Sequence, residues 1–417
     1  MTITTAAPDI NLSDRLPETL AEIRARFAPI FERIARGAVH RERERELPFE
    51  AVRELREAGF GALRLPVEYG GAGLRLGELF DLLIDLGAAD SNLPQLLRGH
   101  IAFIETWLVQ PESPRRREWF QAIGRREILF GNAQAERGAT SDQQTEITEV
   151  GGALAVTGTK YYSTGTLFAD WIWSAARFRG RPVAFAIRAD TPGITRIDDW
   201  DGFGQRLTGS GTTIYDGARV DPENILDWDE SAESRPTAYT TGLYQAILLA
   251  SLAGISRATK TEAIDFVRPR TRTFGKPGSA HPREDVLVQS VIGEVASLNF
   301  VVESAVRAAI AGLEAADAPR AEGIVPTEAA YERALIGVFE AQQVVIELTL
   351  RATTRLFEVG GASATAQGRA LDRLWRNART ISSHNPAIHR AAALGDHYLN
   401  GTGLKSPIQL AREASEA

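Results

Sequence analysis

Histidine, hydroxyl, amide and carboxylate side chains must carry any chemistry here, because the 417 residues include no cysteine. That removes disulfides, thiolate metal sites, iron–sulfur clusters and a thiol nucleophile together. The six histidines are His40, His100, His281, His384, His389 and His397, and none belongs to a His-Glu-x-x-His helix. His384 and His389 stand five apart, a poor spacing for sharing a metal on one helix face, so no metal site is expected. No Gly-x-Gly-x-x-Gly follows a strand-like run, and there is no Gly-x-x-x-x-Gly-Lys loop or Gly-x-Ser-x-Gly elbow. A Rossmann dinucleotide site, a P-loop and a serine-hydrolase elbow are therefore unsupported. His100 lies among Leu96, Leu97, Ile101 and Phe103, where a satisfied core histidine competes with a catalytic one. His384 follows Arg376 and Arg379, where helix capping is the plain alternative.

Lys+Arg 47 against Asp+Glu 54 leaves a net charge of −7. Such a chain does not look like a nucleic-acid binder, which needs clustered cations to neutralise phosphates. With 44% hydrophobic and 24% charged residues, the composition is that of a soluble globular protein. Met1 to Asp14 has neither a basic nor an apolar leader region. The apolar run Ala246–Ile255 is too short to span a bilayer. A cytoplasmic protein without a membrane or nucleic-acid partner is expected.

These residues need elements to position them, and three zones emerge. Up to 129 the period is helical: Leu20, Ile23, Phe27, Ile30, Phe31 and Ile34 recur at three- and four-residue steps. Pro48 opens a second helix, and Asp90-Ser91-Asn92 reads as a cap before the helix carrying His100. The Arg41–Arg45 run alternates with Glu and reads as a solvated helix face. From 130 to 232 short β-rich runs such as Leu154–Val156, Trp171–Ala176 and Val183–Ile187 suggest a small barrel. From 233 to 417 the helices are long. Val288, Val291, Val295, Leu298, Val302, Val306, Ile310 and Leu313 mark one of them, and 327–358 forms another. Long helices joined by short Gly/Pro loops indicate an antiparallel four-helix bundle.

The β zone carries the most specific signal. Gly131-Asn132-Ala133-Gln134-Ala135-Glu136-Arg137-Gly138-Ala139-Thr140-Ser141-Asp142 precedes Val156-Thr157-Gly158-Thr159-Lys160-Tyr161-Tyr162-Ser163-Thr164-Gly165. Gly209-Ser210-Gly211-Thr212 and Val220-Asp221-Pro222-Glu223-Asn224-Ile225-Leu226 follow, then Arg272-Thr273-Phe274-Gly275 and Phe357-Glu358-Val359-Gly360-Gly361-Ala362. In this order the set resembles the acyl-CoA dehydrogenase superfamily over essentially the whole chain. The resemblance implies a mainly α fold with a central β domain: an N-terminal helical domain (1–129), a β barrel (130–232) and a C-terminal four-helix bundle (233–417). It also implies a flavin site and a homotetramer.

One departure redirects the function. Where the dehydrogenases carry Tyr-Glu-Gly-Thr, whose carboxylate removes a substrate proton, this chain has His384 and Asn385, and an amide cannot take that proton. Trp375-Arg376-Asn377-Ala378-Arg379-Thr380 followed by Ser383-His384-Asn385-Pro386 is similar instead to the flavin monooxygenases built on this fold. Those enzymes receive reduced FMN from a separate NAD(P)H-dependent flavin reductase, bind O2 and work through a C4a-hydroperoxyflavin. The resemblance places His100, Thr164 and His384 as catalytic residues. Asn132, Gln134, Ser163, Thr164, Trp200, Arg272, Phe274, Gly360, Gly361 and Asn385 would bind the cofactor, with Arg270 competing with Arg272 for its phosphate. FMN is expected, with FAD the alternative. Phe103, Tyr161, Tyr244 and Leu248 are expected to shape a cavity for a small apolar S-, N- or aromatic C-containing substrate. Two rivals stand beside this reading. One is a flavin dehydrogenase or oxidase with its base moved to Glu105, Glu136 or Glu358; the other is a helical scaffold that has lost its cofactor.

Overall fold

The computed structural model describes residues 18–137, 144–227, 237–272 and 281–404. Five helices come first: α1 (Leu20–Glu44), α2 (Phe49–Glu57), α3 (Leu76–Ala89), α4 (Asn92–Leu108) and α5 (Pro114–Gly124). Eight strands follow, β1 (Phe130–Ala133), β2 (Glu146–Val150), β3 (Ala153–Ser163), β4 (Trp171–Phe178), β5 (Arg181–Arg188), β6 (Ile194–Ile197), β7 (Gly211–Val220) and β8 (Ile225–Asp227). The last zone holds α6 (Thr237–Val267), α7 (Val286–Asp317), α8 (Glu328–Arg355), α9 (Asp372–His384) and α10 (Ala387–Asn400). The apolar periodicity reads through: Ile23, Phe27, Ile30, Phe31 and Ile34 are buried on α1, and Val291 to Leu313 line the buried stripe of α7. Asp90 supplies the expected cap for α4, its Oδ1 accepting the Asn92 backbone N–H at 3.1 Å.

The strands form one mixed sheet, ordered β6-β7-β3-β2-β4-β5-β8, with β1 parallel to β4. It is not the expected closed barrel. Its edges are a four-residue and a three-residue strand at opposite ends of the order, and no ladder joins them among the described residues. Closure needs edge strands long enough to pair across the gap. Strand alternation instead serves two separate cores. Ile172, Val183, Phe185 and Ile187 join Ile147, Val156 and Tyr215 on one face. Trp173, Ala184 and Ala186 face Phe103, Trp119 and Phe120 of α4 and α5 on the other.

The first and last helical zones share one continuous apolar core running from Ile23 to Leu404. Its centre is α6, whose apolar stretch is almost wholly enclosed by protein. There α3 and α6 cross backbone to backbone: a Cβ on Gly254 would lie 2.5 Å from the Gly87 carbonyl carbon and 2.7 Å from the Ala88 nitrogen. Gly254→Ala is therefore expected to force the helices apart and cost about 1–3 kcal/mol of stability in urea unfolding. Gly337→Ala on α8, with no neighbouring atom within 4 Å, is expected to gain up to about 1 kcal/mol through helix propensity. Equal effects at the two sites would mean that the crossing does not constrain the fold.

Candidate active site

A cavity of about 720 Å3 opens where the sheet meets α4 and α9. Asn132, Gln134, Ala135, Tyr162 and Thr164 come from the sheet side, and Gln95 and Arg98 from α4. Thr380, Ile381, Ser383, His384 and Asn385 belong to α9 and its end, while Trp200 to Ser210 belong to the loop between β6 and β7.

That loop is held from three directions. Arg45, capping the end of α1, pairs with Asp198 at 2.8 Å, and the Arg376 guanidinium donates to the Phe203 carbonyl at 2.7 Å. The Gln205 N–H reaches Asn377 Oδ1 at 2.6 Å, and the Leu207 N–H reaches Asn92 Oδ1 at 3.3 Å. Glu42 is fully enclosed and accepts from Arg376 at 2.7 Å, while Arg41 pairs with Asp90 at 2.7 Å. The 41–45 run is thus a set of joints rather than the solvated face its alternating charges suggested. A Cβ on Gly204 would sit 2.2 Å from the Arg376 carbonyl oxygen, so only glycine lets α9 approach there. Tyr162 and Gln205 adopt φ of 56° and 51° beside the cavity. Non-glycine residues persist in that region only when their surroundings over-determine it.

Thr164 begins a chain of hydroxyls. Its Oγ1 lies 2.8 Å from Ser210 Oγ, which lies 2.7 Å from Thr208 Oγ1, which donates to the Gln205 carbonyl at 3.0 Å. Because Thr208 gives its only proton to that carbonyl, it must accept from Ser210, and Ser210 in turn accepts from Thr164. The chain leaves Thr164 Oγ1 with acceptor lone pairs for a donor in the cavity.

Across from it, Arg98 Nη2 donates to His384 Nε2 at 2.8 Å. The His384 proton is therefore on Nδ1, which makes a long contact of 3.4 Å with Asn385 Oδ1. Asn385 Nδ2 donates to Gln245 on α6 at 2.9 Å. Surrounding protein and then the Arg98 charge lower the His384 pKa; the residue is exposed toward the cavity, so the Arg98 contact at 2.8 Å is the firmer cause. His384 is accordingly a neutral acceptor at neutral pH, not an imidazolium. Burial pushes the Arg98 guanidinium down to about 10, which keeps it charged. Its carbon lies 5.3 Å from the centre of the Tyr244 ring, and no carboxylate pairs with it among the described residues.

The structure brings together six of the residues singled out from sequence: Asn132, Gln134, Thr164, Trp200, His384 and Asn385 all line the cavity. Others fall elsewhere. His100 points away from the cavity with both ring nitrogens engaged. Nδ1 accepts the Phe130 N–H at 3.2 Å and Nε2 donates to the Gly61 carbonyl at 3.0 Å. It is a satisfied core histidine with no nitrogen free for catalysis. Phe103 stacks on Phe130 at 3.6 Å and Leu248 is sealed in the helical core, so neither shapes the cavity. Tyr161 lies under Arg137 and Tyr244 behind Arg98, both outside the lining. Ser163 is buried with its hydroxyl turned toward the Lys160 carbonyl. Gly360 and Gly361 are also outside the wall, with Gly360 against Phe266 and Arg270. Arg272 is exposed away from the wall. Phe274, Ser141 and Asp142 lie outside the described residues. Sequence reasoning missed Gln95, Arg98, Gln205 and Thr208. Gln95 and Arg98, three apart on one helix and so on one face, were a readable signal, whereas the loop residues had none.

A flavin fits this donor set. Gln95 Oε1, Asn132 Oδ1, Gln205 Oε1 and Arg98 Nε are buried around the cavity without hydrogen-bond partners. Buried polar atoms demand partners, and the edge of an isoalloxazine ring offers both donors and acceptors. The volume suits such a ring with a small molecule beside it. The helical architecture around this cavity is that of the acyl-CoA dehydrogenases, and the chain belongs to that superfamily. The N-terminal domain model of acyl-CoA dehydrogenase matches residues 18–118 and the C-terminal domain model residues 246–387.

Several of its relatives within the superfamily are monooxygenases. The chain is 27% identical to a probable FMNH2-dependent monooxygenase, SfnC, of Pseudomonas putida, over 88% of this chain and 92% of that protein. It is 25% identical to dibenzothiophene monooxygenase of Rhodococcus erythropolis, over 84% and 86%. Among solved structures, methanesulfinate monooxygenase MsuC of Pseudomonas fluorescens superposes with a TM-score of 0.83 at 28% identity, over 94% and 99%.

Burial of His100 has a measurable consequence. Its folded pKa is pushed down to about 4 from 6.5, with enclosure as the main cause. The unfolded chain therefore binds a proton that the folded chain refuses, and stability falls as pH drops from 6.5 toward 4. Between pH 7 and 4.5 the loss from this one group is about 2 kcal/mol. Urea unfolding of the wild type should show that extra loss relative to His100→Gln. Parallel pH profiles for the two proteins would mean that His100 is not held neutral.

Proposed function

We propose that this protein is a reduced-FMN-dependent monooxygenase that places one oxygen atom of O2 on a small organic substrate. A separate NAD(P)H-dependent flavin reductase supplies the reduced FMN in the cytoplasm. The observation that carries the reading is the α9 wall of the cavity, where the neutral His384 and Asn385 stand in place of a carboxylate base. The one carboxylate in the lining, Asp201, is exposed.

The carboxylates that a dehydrogenase would need are engaged elsewhere. Glu105 is buried between Arg64 and the Tyr239 hydroxyl. Glu136 pairs with the buried Lys160, and Glu358 pairs with Arg355. When bound, reduced FMN supplies the activation of O2. The protein orients and encloses. Thr164, polarised by Ser210 and Thr208, offers an acceptor to a flavin N–H. Gln95, Asn132 and Gln205 complete the polar edge, and Trp200, locked by its Nε1–H to the Gly204 carbonyl at 3.1 Å, limits entry of water. The relatives act on a neutral heterocycle in one case and a sulfinate in another by their names, so the reading commits here only to a small organic substrate.

A homotetramer forms part of the same proposal. Leu287 and Phe300 on α7 and Ile388 and Leu399 on α10 are largely exposed, and a second copy of the bundle would cover them.

Anaerobic titration should give saturable binding of reduced FMN. Rapid mixing with oxygen should then produce a transient absorbance distinct from oxidised FMN, and Thr164→Val should shorten its lifetime roughly tenfold or more. Failure to bind FMN, or bleaching of bound FMN by an acyl-CoA, would sink the reading. Light scattering should return the mass of four chains, and a monomeric mass would remove the assembly proposal.

A further inference from the structure

Among the described residues, Arg98 is the only Lys or Arg in the lining of the cavity. It is 5% exposed, its Nε has no partner, and its one side-chain hydrogen bond among the described residues goes to a neutral imidazole. Several other enclosed cations among the described residues carry a carboxylate. Arg64 has Glu105, Arg373 has Glu262, Arg41 has Asp90 and Lys160 has Glu136. An enclosed charge without a counter-charge is expensive, and the fold has set this one facing a cavity. The groups that could face it from the packed elements are Tyr244 on α6, His384 on α9 and the exposed Asp201 in the loop. Tyr244, with burial holding its hydroxyl up at about 12, stays neutral at physiological pH. None neutralises the guanidinium inside the cavity.

On the reading that this is a flavin monooxygenase site, we propose that Arg98 determines specificity and that the substrate is a small organic anion whose carboxylate or sulfinate seats on the Arg98 guanidinium. A planar fork of donors matches two oxygens of a monoanion. The monoanion leaves one positive and one negative charge together. A flavin phosphate is the other oxyanion such a site could meet. As a dianion it calls for more than one cation, and among the described residues no second one lines the cavity. His384 is then a positioning residue: it accepts from Nη2 and leaves the rest of the guanidinium to the ligand. This replaces the apolar, aromatic-lined pocket expected from Phe103, Tyr161, Tyr244 and Leu248.

The test uses the protein loaded with oxidised FMN and measures binding calorimetrically, needing no turnover. Acetate, benzoate and benzenesulfinate are titrated beside acetamide, benzamide and methyl phenyl sulfoxide. At least one anion should bind tenfold or more tightly than its neutral match. That preference should disappear in Arg98→Gln, whose amide can still donate to His384, and survive in part in Arg98→Lys. The expected loss in the Gln variant is roughly 10- to 100-fold in Kd, the worth of a charge-assisted pair. Equal binding of anion and neutral match, no binding by any anion, or a preference unchanged in Arg98→Gln would overturn the proposal. So would loss in Arg98→Gln of a preference for FMN over riboflavin, which would assign the cation to the flavin phosphate. If the wild type binds no flavin, the monooxygenase reading fails, while the anion comparison on the flavin-free protein still decides the role of Arg98.

Discussion

Helices α3 and α6 touch backbone to backbone at Gly87 and Gly254, and the position of the cavity follows from that contact. A close crossing brings the first helical zone flush against the bundle and merges the two into one apolar core. The Asp90–Asn92 turn follows α3 directly and starts α4, so the crossing also places α4. On its far side α6 packs with α7 and α8, and Gln245 reaches Asn385 at the end of α9. The two helices that carry Arg98 and His384 are therefore set by packing that begins 286 residues apart in sequence.

Within this frame the cavity departs from the usual rule that buried polar groups find partners. Amide oxygens of Gln95, Asn132 and Gln205 and the Nε of Arg98 are enclosed and left free. Around them, bonding is thorough. The loop between β6 and β7 is tied to α1, α4 and α9, and two residues beside it hold left-handed backbone conformations. Rigid surroundings with unpaired groups inside form a preorganised site, in which the cost of burial is met before a ligand arrives.

The exchange of a carboxylate for His384-Asn385 changes the electrostatics as well as the proton chemistry. The amide of Asn385 adds no negative charge beside His384, which is the side chain that meets Arg98. A histidine held neutral by surrounding protein and by Arg98 itself leaves the charge standing. Two adjacent residues thus divide the change, with Asn385 in place of a base and His384 meeting the cation without neutralising it.

The sequence by itself determined the order of helices, sheet and bundle, because apolar periods of 3.6 and 2 are local properties of the chain. Asn132, Thr164 and His384, named from motifs of contiguous residues, and Trp200, named by resemblance, all line the same cavity. His100 and Phe103 were misplaced because a helix with apolar residues all round does not announce which face meets the core and which the cavity. Closure of the sheet was not legible either, since strand runs do not reveal which edges pair. Only the tertiary structure decided that Arg98 meets no carboxylate among the described residues, that the Trp200–Ser210 loop forms a wall, and that His384 accepts from Arg98. Each of these depends on contacts between residues far apart in sequence, where local pattern carries no information about charge or burial.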